Sequence, residues 1–539
     1  MTRRQLIGVF AAALLAVVAV GRIAGTYGVY SNTYDEPNHI AAGMEWWERG
    51  TFTFEPQHPP LGRLAAAVGP YLAGASIQGA PSFGRAATAV LHGRGAYAED
   101  LTLARIGMLP FFLAAVACVW LWARRLQGDG AALVAVALFS TTPLVLAHAG
   151  VATTDMPLTG TLVWALLAIA IWLDAPSIRN GVLVGATVAL SIVSKLSALG
   201  FVPVCAAAFV GVRWLVDRRR RPAEVGGVAR PFDFRRAAMS IATGGIVALL
   251  VMWSVFRFSV GPRFGTVVPG GVPLPLPELV DGVRQLTGHN EHGHSAFLLG
   301  QHSRTGWWYF FPFGIAVKTP VAFLLLTVIG AVVAVRTAWA RADWRYIAPL
   351  AGAVAMLGVA MTSSINIGVR HVLPLFPLMA ITAAFGVGWL WGLTRYRVAA
   401  RTAVAALLAW QVGSSARAHP DYLPYFNELA GANPERLLRD SDLDWGQDLL
   451  RLADTVRARG IDTLSIAYFG EAEISRILPA AARPFSPAER PIGWIAISEQ
   501  KLSHADPQYA GYAWLRSIDP VARIGKSIKL YRVGQPARP

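Results

Sequence analysis

Asp35 and Glu36 stand side by side just after the first apolar stretch of the chain, in Tyr34-Asp35-Glu36-Pro37-Asn38-His39. A carboxylate loses solvation near hydrocarbon, so an acidic pair at a membrane exit, followed by Pro37 and His39, is a candidate for chemistry. The same residues also read as a helix start, with Asp35 as the cap and Glu36 and Pro37 as its first residues. Both readings stand on these residues alone.

The elements that must position such a pair are membrane helices. The chain has 539 residues, 54% hydrophobic and only 15% charged, a composition that excludes a soluble multidomain enzyme. Its net charge of +16 does not point to nucleic acid, because the basic residues gather at the ends of apolar segments, as in Arg124-Arg125, Arg218 to Arg221, and Arg395 to Arg401. The two cysteines, Cys118 and Cys205, lie inside apolar segments and imply no disulfide framework.

A helix crosses hydrocarbon in roughly 20 residues. That measure predicts about eleven spans, near 5–29, 101–123, 131–148, 157–173, 181–194, 198–216, 237–257, 308–335, 346–362, 371–393 and 402–416. The first, after Met1-Thr2-Arg3-Arg4, has the form of a secretory signal and is read as an uncleaved span. With Arg3 and Arg4 inside, the basic runs fall on the cytoplasmic side, and the short outer connections carry only Lys195 and Arg370. The transmembrane domain is then 1–416, with a first outer loop at 30–100 and a second at 258–307.

Residues 417–539 change in character, with charge every few residues and alternating helix and strand signals. A small extracytoplasmic α/β domain is expected, with an amphipathic helix over 446–459 and strands over 463–468, 494–498 and 527–533. The run Asp440-Ser441-Asp442-Leu443-Asp444-Trp445-Gly446-Gln447-Asp448 does not satisfy a calcium loop, because the glycine comes one place late and Arg451 stands where a glutamate is needed. Helix capping by Asp444 accounts for it better.

This topology collects polar residues at one leaflet: Asp35 and Glu36, His58 in the first outer loop, Asp155 before the fourth span, Lys195 beside the fifth, Lys318 in the eighth, and Arg370-His371 at the tenth. Carboxylates mixed with cations at a membrane surface fit transfer of a group from a lipid-linked phosphate to a hydroxyl. Cations stabilise the departing phosphate, and one carboxylate takes the hydroxyl proton. Each residue also has a structural counterpart: Asp155 as a helix cap, Lys195 and Lys318 as snorkelling side chains, Arg370 as a topology exception. The second outer loop is read as Pro-rich irregular chain. There His289, His292 and His294, with Glu291, could ligate a divalent metal ion, although the zincin order is absent; the other reading is a polar lid.

Asp35-Glu36 after the first span, His58-Pro59-Pro60-Leu61, Thr154-Asp155-Met156-Pro157, and Gly306-Trp307-Trp308-Tyr309 running to Lys318-Thr319-Pro320 together resemble the GT-C fold membrane glycosyltransferases. The likeness is greatest to the protein O-mannosyltransferase and lipid A aminoarabinose transferase branch, and it covers about residues 1–415. It implies a polyprenyl-phosphate-linked sugar donor, Asp35 as catalytic base, Glu36 positioning the acceptor, Asp155 in the same outer cavity, and His58 where relatives carry a basic residue near the donor phosphate. The chain departs from the aminoarabinose transferases in having Gln57-His58-Pro59 where they have an acidic-basic-proline triplet. It also lacks room for the β-trefoil module of the eukaryotic mannosyltransferases.

The expected function is an inverting glycosyltransferase acting on a lipid, glycan or protein hydroxyl at the outer face of a bacterial cytoplasmic membrane. The competing class is a transporter or flippase of lipid-linked saccharides, against which stand the one-sided clustering of polar groups and the lack of an internal repeat.

Overall fold

The computed structural model describes residues 3–80, 82–218, 234–261, 273–503 and 506–534; residues 219–221 of the basic run and 262–272 of the second outer loop lie outside the described residues. Among the described residues, seven helices are long and apolar enough to cross a membrane, or eight if the bent pair Asp129–Ser140 and Pro143–Ala149 forms one span. That is fewer than the eleven expected. The stretch at 308–335 is broken into Phe310–Lys318 and Val321–Arg341, Ile178–Ile192 and Ala348–Ala360 are short, and Arg397–Ala418 carries too much polar surface to count among the seven.

The break at Lys318-Thr319-Pro320 has a direct cause. Pro320 has no N–H to offer the carbonyl of Ala316, so that carbonyl needs another donor inside an apolar bundle. Asn427, from the segment after the last helix of the bundle, supplies it: its side-chain amide donates to the carbonyls of Ala316 and Thr319, both at 2.6 Å. The segment 419–448 is therefore packed into the membrane bundle before the chain enters its sheet.

The segment expected to form the first outer loop is mostly helical, with Glu36–Arg49, Pro60–Leu72 and Phe83–His92. Glu36–Arg49 lies tightly against Pro60–Leu72 because Gly43 has no side chain; a Cβ there would sit 2.1 Å from the carbonyl oxygen of Arg63. The close approach brings His39 to Arg63. The second outer loop, read from sequence as irregular, contains the helix Pro277–His292 and a short antiparallel ribbon of Ala296–Leu298 with Gln301–Ser303.

The C-terminal sheet has five strands in the order Ala481–Pro484, Thr463–Ala467, Gly493–Ser498, Ile528–Val533, Ala522–Ile524. The first two pairings are parallel and the others antiparallel. Strand alternation divides the core between two faces: Ala496, Ile528 and Leu530 meet Leu449, Leu452 and Val456 of the helix Leu449–Ala458, and Ile495, Ile497 and Tyr531 meet Tyr512 and Leu515. The helix starts at Leu449, later than expected. Asp444 does not cap it; its carboxylate accepts the N–H groups of Gly446 and Gln500 instead.

Candidate active site

Asp35 occupies the N-cap position of Glu36–Arg49 but makes no side-chain cap hydrogen bond. Its carboxylate lies 3.0 Å from Nη1 of Arg370 and keeps 28% of its side chain exposed. Glu36 turns the other way and is fully buried. It accepts from Nε and Nη2 of Arg105 at 2.8 and 2.9 Å, and from the backbone N–H groups of Thr33 and Ala152, both at 2.8 Å. The remaining Arg105 donors are taken by the carbonyls of Tyr27, Tyr30 and Ser31. The acceptor capacity of Glu36, for which a positioning role was expected, is thus taken up by Arg105 and backbone N–H groups.

Arg370 sits in the short 3-10 turn Val369–Val372. Its Nη1 is shared between Asp35 and Asp155, the latter at 3.3 Å. Asp155 opens the helix Asp155–Asp174 and is also paired with Lys195 at 2.5 Å, leaving its side chain 1% exposed. Asp35, Asp155, Lys195 and Arg370 thus form one chain of alternating charges. His371 lies beside Lys195 and Arg370. His58 stacks edge-on against His39, with ring centroids 5.0 Å apart. Nδ1 of His58 and Nε2 of His371 are buried ring nitrogens with no hydrogen-bond partner among the described residues.

Burial, reinforced by neighbouring cations, holds both rings well below the usual histidine range, so they are neutral at pH 7. His39 and Arg63 act on His58; Lys195 and Arg370 act on both. Arg63 donates through Nε to Nδ1 of His39 at 3.3 Å, which places the His39 proton on Nε2, and it pairs with Glu55 at 2.6 Å. Sequence reasoning missed Arg63. It is the one charge in the apolar helix Pro60–Leu72, and that isolation was the available signal.

Two groups of expected site residues have other contacts. Lys318 is fully buried, but its ammonium donates to the carbonyls of Leu423 and Asp442, at 2.7 and 2.5 Å, and is committed to backbone rather than to a phosphate. The three metal candidates do not converge. Gly293, at φ 68°, reverses the chain so that His294 meets His289 at 3.1 Å, whereas His292 turns out to the carbonyl of Gly288. Among the described residues no group of three or more His, Cys, Asp or Glu side chains could hold a metal ion. His294 instead faces the charges of Arg370 and Asp35.

The C-terminal segment contributes directly to the cluster. Ser441 Oγ lies 3.1 Å from Nε of Arg370, and the Trp445 ring lies under its guanidinium at 4.3 Å. Asp440, half-buried nearby, has its carboxyl pushed up to about 7 by burial, against the pull of Arg370. The acidic run at 440–448 gave no sequence signal for this, because its partners are distant in the chain.

A helical bundle of apolar spans with a polar cluster at one end and a small sheet domain at its C-terminus has the GT-C fold. Residues 100–221 match the family described as dolichyl-phosphate-mannose-protein mannosyltransferase. The chain superposes on the crystal structure of ArnT from Cupriavidus metallidurans bound to undecaprenyl phosphate, with a TM-score of 0.51 and 14% identity, covering 96% of this chain and 97% of that one. The apo form of the same protein gives a TM-score of 0.50 with the same identity and coverage. At that identity the likeness is one of fold. No curated protein matches the sequence significantly.

Proposed function

We propose that the protein is an inverting glycosyltransferase that moves a sugar from a polyprenyl phosphate to a hydroxyl of a lipid, glycan or protein, at the outer face of a bacterial cytoplasmic membrane. The observation that carries this reading is the Asp35–Arg370 contact at 3.0 Å, in which the solvent-reachable carboxylate of the cluster touches a cation that also borders Lys195, His371 and His58. The match to a mannosyltransferase family and the shared fold support it.

In this reaction the acceptor oxygen attacks the anomeric carbon. Asp35 takes the hydroxyl proton, the new C–O bond forms, and the bond from the anomeric carbon to the phosphate oxygen breaks, its electron pair leaving with the polyprenyl phosphate. Arg370, Lys195 and the unpartnered ring nitrogens of His58 and His371 receive the phosphate charge. Asp155 cannot serve as a covalent nucleophile, because it is 1% exposed and held by Lys195 and Arg370. Of the two carboxylates held by Arg370, Asp35 is the reachable one, which suits a single base and direct displacement with inversion of the anomeric centre.

The test is purified protein with a polyprenyl-phosphate sugar and an acceptor, read out as free polyprenyl phosphate. The wild type releases it and Asp35→Asn loses at least about 10²-fold in rate. Carriage of a lipid-linked saccharide without chemistry would release none in either, and near-normal release by Asp35→Asn would remove Asp35 from the role of base.

A further inference from the structure

Resting on that reading, we propose that residues 441–447, between the membrane bundle and the sheet, are a positioning clamp for the reaction: one short segment holds both Arg370 and residues 31–34, which lead into Asp35. On the Arg370 side, Ser441 Oγ accepts from Nε of Arg370 at 3.1 Å while donating to the carbonyl of Ile367 at 2.7 Å. Arg370 Cζ lies over the Trp445 ring, 4.3 Å from its centroid, and Trp445 is itself 1% exposed. The Asp442 carboxylate accepts the N–H of Val369, the residue before Arg370, at 3.2 Å.

The other side of the same segment runs along residues 31–34. The N–H of Ser31 donates to the carbonyl of Gln447 at 3.0 Å, and that of Tyr34 to the carbonyl of Trp445 at 2.9 Å. Ser31 Oγ donates to the carbonyl of Gly446 at 2.9 Å. Asp35 is the next residue after this zipper. Trp445 therefore carries Arg370 on its ring and Tyr34 on its carbonyl, so the 3.0 Å separation of Asp35 from Arg370 is set through one residue.

The clamp is stiff. Gln447 accepts the N–H of Trp445 at 2.8 Å and donates to the carbonyl of Leu443 at 2.9 Å, closing the loop on itself. Space for it is reserved across the interface, since a Cβ on Gly368 (φ 157°) would lie 2.0 Å from Ser441 Oγ. Its other contacts reach into the sheet domain. Asp444 accepts the N–H of Gln500 at 2.9 Å, and the Tyr468 hydroxyl donates to the carbonyl of Gly446 at 2.5 Å. The sheet domain is thus the anchor against which base and cation are aligned, and this gives it a part in turnover.

The experiment compares Trp445→Leu, Trp445→Phe and Ser441→Ala in the full-length protein, measuring kcat and donor KM together with deuterium exchange at residues 31–34 and 367–372. A misplacement of about 1 Å between reacting groups costs about 10²-fold in rate. Trp445→Leu is expected to lose about that much in kcat with donor KM within about threefold of wild type. Trp445→Phe, which keeps an aromatic face, should recover most of the loss. Exchange should rise at the amides of Ser31 and Tyr34 and around Val369 while the bundle stays protected. Ser441→Ala, a smaller change, reads the same quantities if Trp445→Leu fails to fold. Wild-type kcat and exchange in Trp445→Leu, or in Ser441→Ala where Trp445→Leu does not fold, overturn the clamp. Absence of transfer by the wild type overturns the enzymatic reading instead, and the exchange measurement still decides whether the segment positions residues 31–34.

Discussion

Replacing Glu36 with Gln should damage the protein in a way that replacing Asp35 with Asn does not, although the two carboxylates are adjacent in sequence. Glu36 is fully buried, paired twice with Arg105, and also accepts two backbone N–H groups. Glutamine leaves the Arg105 charge uncompensated and turns an amide donor toward backbone donors. Breaking a buried pair from one side costs about 3–5 kcal/mol, so a fall in melting temperature on the order of 5 °C or more is expected. Asp35 is partly exposed, and its partner Arg370 retains Asp155, Ser441 and Trp445. Its loss from the folded state should cost about 1 kcal/mol or less. On the reaction barrier the order reverses. Removing a general base costs roughly 10²–10⁴-fold, equivalent to about 3–5 kcal/mol. The assay heats each purified variant, follows the monodisperse fraction by size exclusion, and measures polyprenyl phosphate release well below the melting range. A Glu36→Gln protein that melts as the wild type does yet is inactive would refute the reasoning, because Glu36 would then belong to the chemistry.

Two further outcomes follow from titrating groups outside the membrane spans. Burial pushes the Asp444 carboxyl up to about 8 from an ordinary 3.8, so between those values the folded chain keeps a proton that the unfolded chain releases, and stability falls as pH rises through that window by up to about 1.4 kcal/mol per pH unit; Asp444→Asn should flatten the slope of melting temperature against pH between 5 and 8, and an unchanged slope would disprove it. Burial and adjacent cations keep His58 and His371 neutral, and a bound phosphate opposes both cations, so binding of undecaprenyl phosphate at pH 7 should take up protons; calorimetry in buffers of different ionisation enthalpy measures this, and zero uptake would refute it.

The parts of this architecture that were legible in the sequence are those governed by local pattern. Apolar runs of adequate length marked the principal spans, and period-two alternation marked Thr463–Ala467, Gly493–Ser498 and Ile528–Val533. The contacts among Asp35, Asp155, Lys195 and Arg370 join residues that the expected topology put at one leaflet. What escaped depends on long-range pairing. Glu36 reads as a second site acid until Arg105 is found beside it, 69 residues later. Lys318 reads as a free cation until the carbonyls of Leu423 and Asp442 reach it. The run at 440–448 has the composition of a solvated loop, yet Ser441, Asp442, Asp444, Gln447 and Asp448 are all buried, their polar groups met by backbone from other elements. Composition cannot distinguish a polar segment solvated by water from one solvated by protein.

The arrangement around Arg370 also bears on how base and leaving group would work together in the proposed reaction. Before reaction the cluster balances, with Asp35 and Asp155 against Arg370 and Lys195. When Asp35 takes the acceptor proton it becomes neutral, and Nη1 of Arg370 loses one of its two carboxylate partners at the moment negative charge develops on the departing phosphate. The charge that the guanidinium served at Asp35 is transferred to the phosphate, so the cluster passes through the reaction without a net change in charge to be solvated in a low-dielectric site. Asp155, which keeps Lys195 and the second contact to Arg370, holds the cation in place through that exchange. A lysine at 370 would lack the planar fork that lets one side chain engage Asp35, Asp155 and Ser441 together while lying on Trp445. The need for that fork is the physical reason for an arginine, rather than any cation, at this position.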